Sequence, residues 1–315
     1  MARCKKCNEY FPSGLNITIC PACGFDMTQP VSENQNLAKE IVPQDEQNEV
    51  TASVQPSRHF PNIQLQYTVN PKENVYFAIR LIFSIICYIS MASGLSLILM
   101  EEPLAFLFVL QILFTILLLF FIYFGLLMGY IKGNGVKITR HQFPDIYSIL
   151  EKQCEKLGIR EVPDTYILES GGVLNAFAAK HIGKNYVIIY SDILELAYEQ
   201  GQDIVEFIIG HELGHIKRNH ISKRLLLYPS CFIPFLSSAY SRACEYTCDN
   251  IGKFLSPEGA QKGILVLAAG KKLYKKVNAE EFIHTERYDG SFWKWFAEKC
   301  SSHPHLPKRL NNLLR

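Results

Sequence analysis

The sequence predicts a mixed, mainly α-helical α+β domain, preceded by a transmembrane helical hairpin and a small N-terminal zinc ribbon. Three observations indicate this order: paired cysteines in the first 28 residues, two long apolar segments before residue 132, and short strand-like and helical patterns after them. The predicted boundaries are 1–28 for the ribbon, 29–72 for a flexible linker, 73–132 for the hairpin and 133–315 for the α+β domain.

Composition narrows the classes of protein to consider. The 315 residues have room for one sizeable folded domain with smaller elements, and the net charge of +2 gives no argument for a nucleic-acid partner. The ten cysteines lack the spacing of a disulfide framework, and the first residues lack the apolar core of a signal peptide. We therefore expect a reducing compartment, with the N-terminus on the side of the membrane where it is made.

The first predicted element is a closed zinc site. Two cysteine pairs with the spacing C-x2-C-x12-C-x2-C supply a tetrahedral set of thiolates. A closed site has no open position for a substrate, so this zinc is expected to be structural, folding a segment too small to have a core. Any function of the ribbon would then be recruitment or regulation, with a protein as its possible partner. The cysteines are Cys4, Cys7, Cys20 and Cys23.

From Gln29 to Ser57 the chain is rich in Gln, Asn, Glu and Ser and shows neither helical nor strand periodicity. This composition is typical of a flexible tether. A short partner-binding motif within the tether stays open.

Two apolar segments, Val75–Met100 and Leu104–Ile131, each exceed the roughly 20 residues that cross a bilayer as a helix. Their connection is very short, so they are predicted to form a hairpin in the lipid bilayer. Lysines and arginines flank the outer ends, whereas the connection is acidic, and the positive-inside rule therefore places both ends of the chain in the cytoplasm. We expect an integral protein of a bacterial cytoplasmic membrane.

The rest of the chain alternates helical and strand patterns. Phe143–Leu157 has helical periodicity, Asp164–Leu168 and Asn185–Tyr190 are predicted strands, and Ser191–Tyr198 is a predicted short helix. Between the two strands, the small residues of Gly171–Ala178 could form either an edge strand that binds a peptide through backbone hydrogen bonds or an ordinary hairpin strand. The residues alone leave both open.

A helix predicted from Asp203 to His220 carries the pattern H-E-x-x-H. His211 and His215 are four residues apart, so one helix face can present both imidazoles to a single zinc ion. Glu212 lies between them, where a carboxylate can take a proton from water activated by the metal. The pattern indicates metal-dependent hydrolysis, and it requires a third protein ligand.

Two candidates for the third ligand lie downstream. The metzincin pattern requires a histidine where this chain has Ile221, so His220 is interpreted as a polar residue at the end of the helix. Glu245, on a predicted second helix, is the better candidate. Asp249 follows one turn later on the same face, where it can orient a ligand histidine. Two histidines and a glutamate leave one zinc position open for water.

Several of these pieces occur together in the order of a known family. The pairing of HELGH with SRACEYTCD, preceded by two apolar segments and NAFA and followed by Ser302-His303-Pro304 and Arg309, resembles the HtpX-like membrane zinc endopeptidases, relatives of the CAAX prenyl proteases. The likeness covers roughly Tyr76 to Arg315, so the ribbon and the tether lie outside it.

The resemblance implies a zincin-like fold of the gluzincin type and an endopeptidase acting on misfolded or damaged membrane proteins at the cytoplasmic face. It implies the zinc ligands His211, His215 and Glu245 and the general base Glu212. It assigns the substrate-binding edge to Asn175, Ala176, Phe177 and Ala178. It also suggests that His303 and Arg309 lie near the active site. By their chemistry, His303 would donate a hydrogen bond to the tetrahedral oxyanion, and Arg309 would hold Asp249 or the C-terminal helix in place.

The chain departs from the family pattern in two places. Cys248 stands where the family has an alanine before the aspartate. Further membrane spans are expected between the two helices of the zinc site, but Leu225–Leu236 is too short to span and is broken by prolines. This segment is predicted to be buried or to dip into the membrane.

Two other functions stay open on the sequence. In the first, the ribbon is the working part of an adaptor and the rest is a catalytically silent peptidase-like scaffold, although all the expected ligands and the base are present. The second is an intramembrane protease. Charged residues crowd the zinc helix and argue against placing its motif inside a bilayer; they are Glu206, Lys217, Arg218 and Lys223.

Overall fold

The structure is a computed structural model that describes residues 2–3, 10–11, 67–169, 171, 174–288 and 290–315. It divides into two compact units, residues 1–58 and 59–315. In the first unit, strand β1 (Ala2–Arg3) pairs antiparallel with β2 (Tyr10–Phe11). The ribbon cysteines and residues 29–66 of the predicted linker lie outside the described residues, so the zinc ribbon and the tether stay predictions.

Two long helices open the second unit: α1 (Pro71–Glu101) and α2 (Pro103–Asn134), joined by Glu102. Each begins with a proline, whose missing N–H has no role at a helix start. Both helices are long and apolar enough to cross a membrane, and the most apolar stretch of α2 has no buried residue. A core helix of a water-soluble domain would bury such a surface, so this exposure indicates a lipid environment.

A four-stranded mixed sheet follows, with strand order β3-β4-β6-β5. Strands β4 and β6 are parallel, whereas β3–β4 and β5–β6 are antiparallel pairs. Within the described residues, strand β5 pairs with β6 alone and is therefore an edge strand. Helix α3 (Pro144–Leu157) ends at Gly158, which adopts the left-handed φ of 62° that glycine tolerates. The strands are β3 (Val136–Lys137), β4 (Asp164–Leu168), β5 (Ala176–His181) and β6 (Lys184–Tyr190).

The remaining described chain is helical. The helices are α4 (Ser191–Gln200), α5 (Asp203–Lys217), α6 (His220–Leu226), α7 (Leu236–Leu255), α8 (Pro257–Leu273), α9 (Ala279–Tyr288), α10 (Phe292–Cys300) and α11 (Leu306–Leu314), with 3₁₀ turns at Tyr228–Phe232 and Tyr274–Lys276. At the centre of this part, α5 packs against α7, α8, α4, α3 and the sheet, and its apolar residues Ile204, Val205, Ile209 and Leu213 are fully buried. The prediction of a mainly helical protein with a small sheet is confirmed.

The zinc helix is shorter than predicted. Helix α5 ends at Lys217 because Asn219 takes a left-handed conformation, with φ of 56°, that turns the chain. Asparagine is one of the few residues that enter this region readily. His220 therefore begins α6 instead of ending α5, and the turn folds it back toward the site.

The segment Leu225–Leu236 includes the 3₁₀ turn and lies against α1. Its large side chains Leu225, Tyr228 and Phe232 are 69%, 67% and 81% exposed, so of the two predicted alternatives burial does not hold for them. That the segment dips into the membrane stays a prediction. The hydroxyl of Tyr88, on α1, donates a hydrogen bond to the carbonyl oxygen of Leu226 at 3.1 Å. The exposed apolar surface of the turn is thus held beside the first membrane helix.

Candidate active site

Small residues allow α5 and α7 to approach closely. A Cβ at Gly252 of α7 would lie 2.9 Å from the Phe207 ring, and a Cβ at Gly214 of α5 would lie 3.2 Å from the Sγ atom of Cys248. Any larger side chain at these contacts would push the helices apart. The close approach brings the carboxylate of Glu245 to the face of α5 that carries the two histidines.

The predicted ligands meet in one buried cluster. The Nε2 atom of His211 lies 3.3 Å from Glu245 Oε2, and the Nε2 atom of His215 lies 3.4 Å from Glu245 Oε1. One donor atom from each of these three residues lies within 4.8 Å of the others. Two imidazole nitrogens of the same type therefore converge on one carboxylate, in the ligand set of a catalytic zinc site.

The electrostatics of the cluster suit a cation. Burial lowers the pKa of His211, but the contacts to Asp249 and Glu245 outweigh it and raise the pKa to about 10. Burial raises the pKa of Glu245, but the two imidazoles hold it well below its usual value. Glu245 Oε2 also accepts no hydrogen bond within the described chain, although His211 Nε2 lies close by. The residues thus favour positive charge at their centre, and a zinc ion would supply it.

The first histidine is supported by a carboxylate and an arginine. His211 Nδ1 lies 2.9 Å from Oδ1 of Asp249, one turn beyond Glu245 on α7. Arg309, on α11, donates to both oxygens of Asp249, from Nε at 2.8 Å and from Nη2 at 2.6 Å. Burial raises the pKa of Asp249, but Arg309 outweighs it and lowers the pKa. The ionised carboxylate fixes the His211 ring with Nε2 turned to the cluster.

The second histidine has a different partner, which sequence reasoning missed. His215 Nδ1 lies 3.1 Å from Nδ1 of His220, and His220 Nε2 lies 3.2 Å from Oε1 of Glu73, in the first turn of α1. Burial lowers the pKa of His220 to about 4, so its imidazole is neutral near neutral pH. His220 is therefore part of the site's surroundings, contrary to the interpretation of a polar residue at a helix end. No spacing rule connects Glu73 to this site.

A competing metal set lies beside the first, formed by His215, His220 and Cys248. The thiol of Cys248 is fully buried, and burial raises its pKa well above the usual value. Cys248 also has no contact with the open groove described next. The set of His211, His215 and Glu245 has both charge balance and access.

A groove of about 1120 Å³ opens onto the cluster. Its floor contains His211, Glu212, His215 and Glu245. One wall is the edge strand β5, and the other is the second membrane helix α2. The wall residues on α2 are Phe114, Leu117, Leu118, Phe120, Phe121, Phe124, Leu127, Met128 and Ile131. A membrane helix thus forms part of the same cavity as the metal-binding side chains.

The remaining predicted site residues also lie at this groove, with one exception. Ala176, Phe177 and Ala178 line it on β5, and His303 lines it from the loop before α11, with Nε2 3.6 Å from Glu245 Oε1. The side chain of Asn175 instead accepts a hydrogen bond from the N–H of Ala176 at 3.0 Å and is not among the lining residues. The predicted substrate-binding role of Asn175 stays a prediction.

A model of peptidase family M48 matches residues 140–233 and 227–315, which together cover more than half of the chain. The chain belongs to peptidase family M48. This membership confirms the resemblance noted in the sequence and gives the enzyme class, a zinc metallopeptidase. The M48 match covers all the helices that carry His211, Glu212, His215, Glu245 and Arg309.

Among solved structures, the M48 chain is similar to Ste24p of S. mikatae, with 15% sequence identity and a TM-score of 0.44. The similarity covers 76% of this chain and 66% of that chain, slightly under two thirds of its length. No curated protein matches the sequence.

Proposed function

We propose that this M48 protein is a membrane-anchored zinc endopeptidase that cleaves extended, apolar peptide segments next to the bilayer. The observation that supports it is the groove, in which a zinc-type ligand cluster lies between an edge strand and a membrane helix. A soluble peptidase has no need for an apolar membrane helix as a wall of its substrate groove.

In this proposal His211, His215 and Glu245 hold the zinc ion. When bound, zinc would act as a Lewis acid toward the scissile carbonyl and activate water. Glu212 accepts the proton of the attacking water and delivers it to the amine that leaves. His303, whose side chain is 61% exposed with Nε2 3.6 Å from Glu245 Oε1, would donate a hydrogen bond to the oxyanion.

Asp249 and Arg309 act by positioning His211. Their bidentate ion pair is buried, so it holds the imidazole in one orientation and leaves the lone pair on Nε2 available to the metal. Neither residue needs to contact the substrate in order to affect the reaction.

The substrate class follows from the walls of the groove. The free edge of β5 can accept an extended peptide by strand addition, which selects for backbone conformation and tolerates varied side chains. The aromatic and aliphatic side chains of α2 favour apolar residues at the same time. Misfolded or damaged membrane proteins expose such segments, and we propose them as substrates in membrane-protein quality control.

The proposal also covers the side of the membrane on which the protein acts and the role of its N-terminal unit. The charge asymmetry around the hairpin supports a catalytic domain and an N-terminus on the cytoplasmic side of a bacterial cytoplasmic membrane. The spacing of the four ribbon cysteines supports a structural zinc ion and a role in recruiting a protein partner.

The test uses the full chain purified in detergent. Zinc content is measured together with cleavage of casein and of an unfolded membrane protein, for the wild type and for Glu212→Gln. We expect the variant to keep its zinc and lose activity by about 10²–10⁴-fold, the range for loss of a general base. A wild type that carries zinc in this site yet is as inactive as the variant on every substrate would overturn the proposal and favour the adaptor.

A further inference from the structure

A chain of polar contacts runs from the first membrane helix to the second histidine of the cluster. Glu73, on α1, is linked to His220, and His220 to His215, at 3.2 and 3.1 Å. Arg218 donates to the same oxygen of Glu73 from Nε at 3.1 Å and from Nη2 at 2.8 Å. The side chains of Glu73 and His220 are only 1% and 3% exposed, so water does not compete for these contacts.

The contacts fix where the protons lie. His215 turns Nε2 toward Glu245, so Nδ1 is the nitrogen that carries hydrogen when Nε2 binds a metal. His220 Nδ1 must then accept from His215, which leaves the hydrogen of a neutral His220 on Nε2. That N–H points at the carboxylate of Glu73, which accepts it. One assignment of protons therefore satisfies every contact in the chain from α1 to His215.

Stability alone does not account for this arrangement. The other carboxylate oxygen of Glu73, Oε2, is buried without a hydrogen bond of ordinary length in the described chain, and a weaker contact links this carboxylate to the Thr247 hydroxyl. A buried carboxylate with an unpartnered oxygen lowers the stability of a fold relative to an apolar side chain of similar size. The carboxylate does provide a hydrogen-bond acceptor for His220 at a fixed position.

We infer that His220 and Glu73 are positioning residues that hold the imidazole of His215 in its metal-binding orientation. The first membrane helix thereby supplies part of the support of the metal site as well as an anchor. This inference rests on the proposed assignment of His215 as a zinc ligand. Partners that orient a ligand histidine typically change metal affinity by about 10–100-fold when they are removed.

The test compares zinc release from the full chain in detergent, in excess chelator, for the wild type, His220→Phe, His220→Gln and Glu73→Gln. The zinc that Glu245→Ala retains measures the zinc bound outside the catalytic site, and this amount is subtracted from the zinc of every other variant. The matched control is Ser230→Ala. Ser230 Oγ accepts a buried hydrogen bond from Arg80 Nε at 2.7 Å, so it also joins α1 to the domain but does not contact His215.

We expect His220→Phe to release the catalytic zinc about 10–100-fold faster than the wild type. Glu73→Gln should shift the rate in the same direction by less, because the amide oxygen is a weaker acceptor. His220→Gln should recover part of the loss, since its amide can both accept and donate, while Ser230→Ala should match the wild type within about twofold.

Unchanged release in both His220→Phe and Glu73→Gln would overturn the inference, as would equally fast release from Ser230→Ala, which would indicate general loosening of α1. Thermal unfolding of each zinc-loaded variant identifies any that fail to fold. If either His220→Phe or Glu73→Gln fails to fold, zinc release from the other of these two variants decides the inference. If Glu245→Ala retains as much zinc as the wild type, it is the proposed metal site that fails, and not the positioning role.

Discussion

The two histidines of the cluster lie one turn apart on the same helix, yet they are supported from opposite parts of the chain. His211 contacts a carboxylate, Asp249, which is held by Arg309 near the C-terminus. His215 contacts a neutral imidazole, His220, which is held by Glu73 at the start of the membrane hairpin. The first support is an ion pair within the helical domain; the second depends on how α1 docks against that domain.

On the proposed assignment of the metal ligands, this difference predicts that the metal site needs support from both ends of the unit. The ionised Asp249 makes His211 a stronger donor to a metal, whereas a neutral His220 chiefly orients His215. We therefore expect changes on the Asp249 side to be more damaging than changes on the Glu73 side. Substitutions in the Asp249 support, in the contact between α5 and α7, and in the groove wall separate these effects, from the largest expected effect to the smallest.

Asp249→Asn should have the largest effect. It removes the charge that pairs with buried Arg309, and breaking a buried ion pair by removing one partner lowers the free energy of unfolding by about 3–5 kcal/mol. Zinc should also be lost faster than from Glu73→Gln. Thermal unfolding and zinc content measure both effects. Lys308→Met is the control on α11: its contacts with Glu286 and Glu298 involve a side chain that is 41% exposed, so we expect about 1 kcal/mol or less. Zinc loss no faster than from Glu73→Gln would contradict the ranking, and equal losses of stability in Asp249→Asn and Lys308→Met would show that the buried ion pair has no special weight.

Gly252→Ala should disturb both histidines alike. Its Cβ would lie 2.9 Å from two ring carbons and the carbonyl oxygen of Phe207, so α7 must shift and carry Glu245 with it. Overpacking of this kind lowers the free energy of unfolding by about 1–3 kcal/mol. The free energy of unfolding and the affinity for zinc should decline together. The control is Gly290→Ala, where a Cβ meets no atom within 4 Å. A variant at position 252 as stable as the wild type would show that the two helices are not in tight contact.

Phe121→Ala should leave both supports intact and change substrate binding. The ring lines the groove from α2, and loss of one large apolar contact would raise KM by about 10-fold, or 1.4 kcal/mol, with little change in kcat. Steady-state cleavage of an apolar peptide measures this. Phe108→Ala changes the same residue type on the same helix outside the groove and should leave KM unchanged. If both variants behave alike, the wall formed by α2 does not contact the substrate.

Local spacing predicts the elements of this protein well, because it depends on helical and strand periods. The strands Asp164–Leu168 and Lys184–Tyr190, the long apolar helices and the placement of the H-E-x-x-H residues on one helix all follow from such patterns. The end of α5 could not be predicted from these patterns, because the left-handed Asn219 ends the helix at a position where the apolar pattern shows no change.

The long-range contacts of the second histidine were beyond the sequence. Glu73 is separated from His220 by 147 positions, and only the docking of α1 brings them together. The groove wall has the same origin: the aromatic residues of α2 are spaced like those of any membrane helix, and nothing in that spacing indicates that they face Glu212. The position of β5 at the edge of the sheet, with no second strand beside it among the described residues, is likewise a property of the assembled sheet.

The most direct test of the account is the location of the catalytic metal, because His215 belongs to two candidate sets. Zinc per chain is counted for the wild type, Glu245→Ala and Cys248→Ala, all with the N-terminal cysteines intact. We predict that Glu245→Ala loses one equivalent of zinc and that Cys248→Ala keeps the wild-type count. Loss of zinc from Cys248→Ala, with full retention in Glu245→Ala, would contradict the account and place the metal on His215, His220 and Cys248.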